Sequence, residues 1–465
     1  MLSIDLDPAG RLPLTVQIYR TVRDAIEAGR LAPGSKLPSW RDLAAQLGVS
    51  RGTVRVAYQR LIDEQFVVGL GAAGTRVAQR PSPSSAPASS PDAPPLPGFH
   101  PTYGTPPLPF QMGVPAQDAF PFKLWARVLA RAARRVAAAP VAYPDPRGAP
   151  ELRAEISAYV GIARGLRCSP SQVIVTTGYS GALGLAVLGL RLAGAGAWIE
   201  DPSFPVTRTA LGLAGLNLTA VPVDAAGLDV AAGVRKAPDA ALAVVTPGQH
   251  APLGMTMSLE RRLALIAWAT RSGAWIIEDD YLSDLQLTGR AAPALASLDH
   301  GGRVLHLGTF SKTISPALRL GFLIAPVELA GLFGDVAACL APAPAVALQS
   351  AVAEFLREGH YLRHLRRMKR LYAARRERLI TCLAQASPTA LKAEATAGMA
   401  VVASLPPAAS DVDVAARALA IGLAPSPLSP WYVDVEQRQG LLLGVTNLDG
   451  RRLADDCRRL AELAR

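Results

Sequence analysis

Cysteine is scarce in this 465-residue chain, and the four cysteines lie far apart with no CxxC spacing. That pattern argues against a disulfide framework or a zinc site and favours a reducing compartment. The N-terminus lacks a basic region followed by an apolar run, so no signal peptide is predicted. The longest apolar stretch, 182–197, contains Arg191 and is too short to cross a bilayer. We therefore expect a soluble cytoplasmic protein with no membrane segment and no metal site.

Acidic residues are outnumbered by basic ones, 37 against 48, which gives a formal net charge of +11. An excess of this sign suggests an anionic partner, most simply nucleic acid. Half of the residues are hydrophobic and 18% are charged, which is typical of a globular chain. The length exceeds what one hydrophobic core usually serves, so we expect two or three domains.

Composition divides the chain into three zones. Residues 1–79 have helical periodicity followed by a Gly-rich segment. Residues 80–108 are dominated by Pro, Ser and Ala, which cannot bury a core and predict an extended linker. From 109 to 465, β-rich runs alternate with amphipathic helices, and we place a division between a large and a small subdomain near 345. Apolar strands separated by helices predict an α/β fold with a mainly parallel sheet, which binds ligands at the carboxyl ends of its strands.

The N-terminal zone has the spacing of a helix-turn-helix. Ser39 can cap a helix over WRDLAAQLG, Gly48 gives a tight turn, and Ser50 can cap a second helix. FVVGLGAAGTRVA then predicts two short strands of a wing. A small structural domain with ordinary surface arginines is the alternative.

The ordered set LPSWRDLAAQLGVSRGTVRVAYQRL resembles the GntR-type winged helix. The resemblance implies double-stranded operator DNA as the partner of a recognition helix and a wing. The residues that would contact this DNA are Arg41, Ser50, Arg51, Thr53, Arg55, Gly74 and Thr75.

In the C-terminal zone, GTFSKTISPALRLG places Lys312 in a polar turn after a strand, with Arg319 seven residues on. A lysine that forms a Schiff base must be desolvated. Pyridoxal phosphate also needs a carboxylate at its ring nitrogen, and donors and a cation at its phosphate. Asp279 and Tyr281 are two residues apart at a strand end and share a face. A surface lysine and a helix-capping acidic cluster are the alternatives when each motif is taken alone.

Two further stretches fit the same cofactor. VTTGYSGALGLA presents Gly178 and a helix N-terminus, a geometry that suits a phosphate. EDPSFPVTR offers Phe204 for stacking on the ring, although a core aromatic is the commoner role. Arg208 follows four residues later.

Residues 109–465 resemble fold-type-I aminotransferases, and the whole chain resembles the MocR family, in which such a domain follows a GntR-type winged helix. YPDPRGAPELR, IVTTG, WIEDPSFP, EDDY and GTFSKTISPALRLG carry the resemblance. It implies a Schiff base between Lys312 and pyridoxal phosphate, Asp279 at the ring nitrogen, Tyr281 at the ring oxygen and Phe204 stacked on the ring. Around the phosphate it places Tyr179, Ser180, Ser311 and Arg319. It also implies a head-to-tail homodimer.

Two of the chain's departures from the family pattern concern the binding of a ligand. Gln249-His250-Ala251-Pro252 replaces a His-Gln-aromatic-Pro order, so His250 either contacts the ring or is a locally bonded histidine. Leu442 stands where many aminotransferases have the arginine that binds a substrate carboxylate. Arg208 is then the leading candidate for an effector's acidic group.

The stretch HYLRHLRRMKRLYAARRER is strongly basic. Its cations at 363, 366, 367, 369 and 370 are too dense for one helix face, so a solvated surface is the default. A further contact with DNA is the alternative.

The motifs predict a pyridoxal-phosphate-dependent transcription regulator rather than an enzyme. The effector would be pyridoxal phosphate itself or an amino compound that forms an external aldimine with the cofactor of Lys312. An active aminotransferase that carries a DNA-binding domain is the alternative function, in which Lys312 would also transfer protons.

Overall fold

A computed structural model describes residues 4–8, 10, 12–79, 106–287, 289, 291–386, 391–406, 408–434 and 437–464. The described residues form two compact units, one before and one after residues 80–105. Most of the predicted linker, 80–108, thus lies outside the described residues.

The N-terminal unit contains three helices and a two-stranded antiparallel sheet. They are α1 (Leu14–Glu27), α2 (Trp40–Leu47), α3 (Arg51–Asp63), β1 (Val67–Gly69) and β2 (Thr75–Val77). The side-chain oxygens of Ser39 and Ser50 accept the backbone N–H of Asp42 and Thr53, and Gly48 ends α2 at φ 65°. The predicted caps, turn and wing hairpin are therefore confirmed.

The C-terminal unit begins with helices and strands that build one large sheet. They are α4 (Phe122–Ala138), α5 (Pro150–Arg164), β3 (Val173–Thr176), α6 (Tyr179–Gly189), β4 (Gly196–Asp201), α7 (Pro205–Leu213), β5 (Asn217–Asp224), β6 (Gly227–Leu228), α8 (Val230–Lys236), β7 (Leu242–Val245), α9 (Leu259–Ser272), β8 (Trp275–Asp280), β9 (Val304–Thr309), β10 (Gly321–Ile324) and α10 (Ala330–Leu340).

The large sheet has eight strands in the order β3-β10-β9-β8-β7-β4-β5-β6. Strands β9, β8, β7, β4 and β5 pair in parallel, whereas β10 and β6 are antiparallel to their neighbours. Both faces are buried: in β4, Trp198 packs into one apolar cluster while Ala197 and Ile199 pack into another. The predicted mainly parallel α/β sheet is confirmed.

The remaining elements are α11 (Val346–Arg357), α12 (His360–Ala386), β11 (Lys392–Ala397), β12 (Ala400–Ser404), α13 (Asp411–Ala420), β13 (Ser426–Pro427), β14 (Gly440–Gly444) and α14 (Leu453–Leu463). The four strands form an antiparallel sheet in the order β11-β12-β14-β13. An apolar cluster joins α12 and α14 to this sheet through Leu379, Leu383, Val401, Leu441 and Leu460. Among the described helices, none has the length and apolar character needed to cross a membrane.

Candidate cofactor site and DNA-binding surface

The candidate site lies where parallel strands of the large sheet end. Strands β4, β7, β8 and β9 are neighbours and run in the same direction, so their carboxyl ends meet at one edge. Asp201 ends β4, Asp279 lies at the end of β8, and Lys312 follows β9 after a short turn. Polar side chains that are far apart in the sequence are therefore brought together at the sheet edge where α/β proteins bind ligands.

Lys312 points its amine into the interior. Its Nζ donates a hydrogen bond to the carbonyl oxygen of Gly113 at 3.2 Å. Gly113 has φ +80°, which favours glycine, and a Cβ there would lie 2.8 Å from that Nζ and displace the amine. Burial lowers the pKa of Lys312, and the charge of Asp279 only partly offsets this effect. A lysine in such surroundings is more readily neutral, as a nucleophilic amine must be.

Asp279 is a buried carboxyl group without a full set of partners. The residue is 7% exposed, and its Oδ1 accepts no hydrogen bond from the described residues. Burial, followed by the nearby charges of Asp280 and Glu200, raises its pKa to about 8. A buried carboxyl group that lacks a partner is costly, and a cation beside it would relieve the cost. The protonated ring nitrogen of pyridoxal phosphate is such a cation, so the site fits this cofactor.

A second buried acid, Glu200, lies close to Asp279 and was missed by the sequence reasoning. Its carboxylate accepts hydrogen bonds from the backbone N–H of Thr246 at 3.1 Å and from the Thr246 hydroxyl at 2.6 Å. Burial raises the pKa of Glu200 to about 7. The sequence does contain a signal for Glu200: it is an acid inside the apolar run of a strand, and a buried acid needs hydrogen-bond partners.

His250 lies beside Glu200. Its Nε2 is 3.7 Å from Glu200 Oε2 and makes no hydrogen bond within the described residues, while Nδ1 accepts from the N–H of Leu253 at 3.4 Å. Burial lowers the pKa of His250 to about 3, so the ring is neutral. The predicted contact between His250 and the cofactor ring stays a prediction.

Four of the predicted phosphate-binding residues lie at the start of α6: Gly178, Tyr179, Ser180 and Arg319. Gly178 precedes the helix at φ +82°, and Ser180 is exposed in its first turn. A Cβ at Gly178 would lie 4.0 Å from Arg319 Cζ, so the guanidinium is close to the helix N-terminus. Free N–H groups at a helix N-terminus together with an arginine form an anion site. Ser311 accepts a hydrogen bond from the Thr309 hydroxyl at 3.1 Å.

The three aromatic residues predicted for the site have different surroundings. The Tyr179 hydroxyl is hydrogen-bonded to Thr207 at 2.9 Å, and burial followed by the charge of Asp279 raises the pKa of Tyr179. Tyr281 is half-buried, and the same two causes raise its pKa. Phe204 is 37% exposed and lies 5.5 Å from the Trp431 ring, centroid to centroid. Phe204 therefore keeps an accessible ring surface, which stacking on a cofactor requires.

Arg208 is the predicted contact for an effector's acidic group, and Leu442 stands where many aminotransferases have a carboxylate-binding arginine. The Arg208 guanidinium donates to the carbonyl oxygens of Pro430 and Trp431, at 3.0 and 3.3 Å. Leu442 is fully buried in an apolar cluster with Leu428. An acidic group that binds Arg208 would compete with these two backbone carbonyls.

Behind Asp279, a buried ionic network supports the end of β8. Glu278 accepts hydrogen bonds from the N–H groups of Leu295 and Ala296 and is hydrogen-bonded to His306 at 3.0 Å. Arg164 donates through Nε to Asp280 at 2.6 Å. Burial alone would lower the pKa of His306, but the charge and hydrogen bond of Glu278 outweigh the effect of burial, so the pKa is raised. Neither Arg164 nor His306 was predicted, since no local pattern links them to β8.

The predicted DNA-binding residues lie on α2, α3 and the wing of the N-terminal unit. Arg51 and Arg55 are exposed one helical turn apart on α3, and Arg41 is exposed on α2 with its guanidinium 4.8 Å from the Trp40 ring. Ser50 and Thr53 form the cap of α3, with 2.8 Å between their hydroxyl oxygens. Gly74, at φ +87°, and Thr75 lie in the wing. A basic helix end beside a hairpin is the arrangement that enters a DNA groove.

Comparison with known proteins gives two family matches on one chain. Residues 14–77 match the gntR family of bacterial regulatory proteins, and residues 115–425 match the aminotransferase class I and II family. The chain is 35% identical to the probable rhizopine catabolism regulatory protein MocR of Rhizobium meliloti, over 98% of this chain and 94% of that protein. It is also 35% identical to the HTH-type transcriptional regulator TauR of Rhodobacter capsulatus, over 81% of this chain and 80% of that protein.

Solved structures match the C-terminal part. An archaeal alanine:glyoxylate aminotransferase superposes with a TM-score of 0.70 at 26% identity, over 77% of this chain and 90% of that chain. The α-aminoadipate aminotransferase LysN of Thermus thermophilus, solved with N-(5'-phosphopyridoxyl)-L-leucine, gives a TM-score of 0.67 at 27% identity, over 77% of this chain and 92% of that chain.

Fold, site and matches define a class: a winged-helix DNA-binding domain joined to a fold-type-I aminotransferase domain. The chain belongs to the MocR family of transcription regulators, which confirms the resemblance inferred from its motifs.

Proposed function

We propose that this regulator binds pyridoxal phosphate at Lys312 and changes its DNA binding when pyridoxal phosphate, or an amino compound that reacts with it, occupies the site. The observation that carries the proposal is the buried Asp279 carboxyl group with an unpaired Oδ1, near the half-buried Lys312, in a chain that also has a GntR-type domain. The match to LysN, solved with a phosphopyridoxyl adduct, supports the choice of cofactor.

Each end of the cofactor has candidate residues. Asp279 would hold the proton on the ring nitrogen, Tyr281 and Phe204 would contact the ring, and His250 lies within the same buried region. The phosphate would be bound by Gly178, Tyr179, Ser180, Ser311 and Arg319. When bound, pyridoxal phosphate supplies an aldehyde carbon that amines attack reversibly. The lowered pKa of Lys312 keeps its amine available at that carbon.

Double-stranded operator DNA is the proposed partner of the N-terminal unit. Arg51 and Arg55 would reach base edges and phosphates at the start of the recognition helix, and Arg41 would bind a phosphate. Ser50 and Thr53 would contact the DNA at the start of the recognition helix, and Gly74 and Thr75 would contact it from the wing. A regulator of this type acts in the cytoplasm, where bacterial DNA lies.

A head-to-tail homodimer is proposed for the C-terminal unit. Val141 and Tyr143, between α4 and α5, are fully exposed in the single chain. Large apolar side chains in such a position are typical of a surface that a second copy covers. Two winged helices in one dimer would then read two half-sites.

The test is a gel-shift assay on DNA upstream of the gene, with and without pyridoxal phosphate and candidate amines. We expect binding at low salt and a change in affinity when the effector is present, because an effector acts through different affinities for two states. Absence of DNA binding at low salt would contradict the proposal.

Active transamination is the second candidate function, because a lysine close to a buried aspartate also suits it. The buried Leu442 argues against turnover of α-amino acids, since an apolar cluster offers no partner for a carboxylate. Sustained keto-acid production from an amino donor would favour this function. We expect slow half-reactions at most.

Arg208 stays the predicted contact for an effector's acidic group. Its contacts with the carbonyl oxygens of Pro430 and Trp431 would have to be exchanged or shared on binding. We expect Arg208→Gln to weaken the response to carboxylate-bearing amines more than the response to simple amines.

A further inference from the structure

Four exposed arginines of α12 lie on a single face of the helix. Arg363, Arg366, Arg367 and Arg370 have the spacing i, i+3, i+4 and i+7, which places them on one side. The opposite side is buried and includes Tyr361, His364, Leu365 and Met368. Lys369 is half-buried and lies outside this row. We call the four arginines the basic face of α12.

Helix α4 brings further cations to the same surface. The Phe355 ring, near the end of α11, packs against Trp125 of α4 at 5.6 Å and against His360 of α12 at 5.7 Å. The start of α12 is therefore close to α4. Arg131 and Arg135 of α4 are exposed, and both pair with the buried carboxylate of Glu354.

Little negative charge balances the basic face. Within the part of the chain that the structure describes, no carboxylate lies within 4.0 Å of Arg366, Arg367 or Arg370. Two acids near the start of α12 already have partners: Glu354 pairs with α4, and Glu358 is 3.9 Å from Arg357. The exposed Glu377 lies two helical turns beyond Arg370. Unpaired like charges attract a polyanion and repel a second copy of the same surface.

We infer that the basic face of α12 binds the phosphate backbone of DNA that flanks the operator. Arg363 to Arg370 spans about 10 Å of helix, a length over which one DNA strand presents about three phosphates. The inference rests on the proposed function, because the winged helix brings operator DNA to this protein. Contacts of this kind add affinity and salt dependence without sequence specificity.

The test compares two triple variants of the full-length protein with the same change in charge. The test variant is Arg366→Gln, Arg367→Gln, Arg370→Gln, which leaves Arg363 and its contacts with Glu358 and His360. The control is Arg167→Gln, Arg235→Gln, Arg271→Gln, at exposed arginines of α8, α9 and the loop after α5. Affinity is measured against salt concentration on a duplex that carries only the operator and on one extended at both ends.

On the extended duplex, the slope of log affinity against log salt should fall by about one for each arginine that contacts a phosphate, so by up to about three. The control should keep the wild-type slope, and on the short duplex all three proteins should bind alike.

Equal slopes for the test variant, control and wild type on the extended duplex would overturn the inference while leaving the proposed function intact. Failure of the wild type to bind either duplex at low salt would instead overturn the proposed function. Uptake of pyridoxal phosphate equal to that of the wild type verifies that the test variant is folded.

Discussion

Asp279 and Lys312 are the residues on which the cofactor proposal depends, and both were predicted from short motifs. Their surroundings were not predicted. Gly113, whose carbonyl oxygen accepts the Lys312 hydrogen bond, is 199 residues away in the chain, and Glu200 lies on another strand. Contacts of this kind depend on the order of strands in the sheet, which local spacing does not define. The acids inside apolar runs were still a readable signal, because each needs a partner when buried.

Replacement of Asp279 should weaken cofactor binding. Asp279→Asn keeps the shape but cannot balance a protonated ring nitrogen, so we expect the affinity for pyridoxal phosphate to fall by roughly ten- to a hundredfold. Equilibrium dialysis measures the loss, and Asp239→Asn, at an exposed site, is the matched control. Unchanged affinity in Asp279→Asn would exclude Asp279 as the partner of the ring nitrogen.

The contribution of Asp279 to the stability of the cofactor-free protein should decrease as the pH rises. Asp279 keeps its proton up to a pKa of about 8 in the folded state, whereas an unfolded aspartate loses it near 3.9. Between these values only the folded state binds the proton, so stability is greatest at the acidic end and decreases by about 1.4 kcal/mol per pH unit for this group. Glu200, with a pKa of about 7, acts in the same direction.

Chemical denaturation of the cofactor-free protein between pH 5 and pH 8 checks this expectation. Asp279→Asn should show a shallower decline than the wild type, because it removes one of the two groups. The same change of stability with pH in both proteins would show that Asp279 is ionised in the folded state.

At the scale of elements, helix starts and glycine turns were the most predictable features. Ser39, Gly48 and Ser50 have local chemistry that decides where α2 and α3 begin and end, and the structure confirms all three. The direction of β10 was not predictable, because its apolar run GFLI has the same pattern in a parallel or an antiparallel strand. The basic face of α12 was also missed. The five closely spaced cations could not be assigned to one side of the helix without knowing that Tyr361 and Met368 are buried on the other side.

Loss of the cap on α3 should destabilise the recognition helix. Ser50→Ala removes the oxygen that accepts the Thr53 N–H at 3.1 Å, at a cost of about 1 kcal/mol. Hydrogen exchange of the α3 amides should then be roughly fivefold faster. Ser50→Asp restores an acceptor and should recover the protection. If Ser50→Ala exchanged at the wild-type rate, the cap would not contribute to the stability of α3.

At the scale of the whole molecule, two units with different chemistry share one chain. The winged helix offers an exposed basic helix end, and the aminotransferase-like unit offers a half-buried lysine and a buried acid with an unpaired oxygen. The family order of motifs predicted both units, whereas residues 80–105 between them are outside the described part of the chain. The predicted domain boundaries therefore remain predictions.

The central claim, that occupancy at Lys312 controls DNA binding, is tested most directly by comparing the wild type with Lys312→Ala. Operator affinity is measured for both proteins across a titration of pyridoxal phosphate, alone and with candidate amines. We predict that both bind the operator without effector, and that only the wild type changes its affinity during the titration. An equal response in Lys312→Ala would contradict the claim.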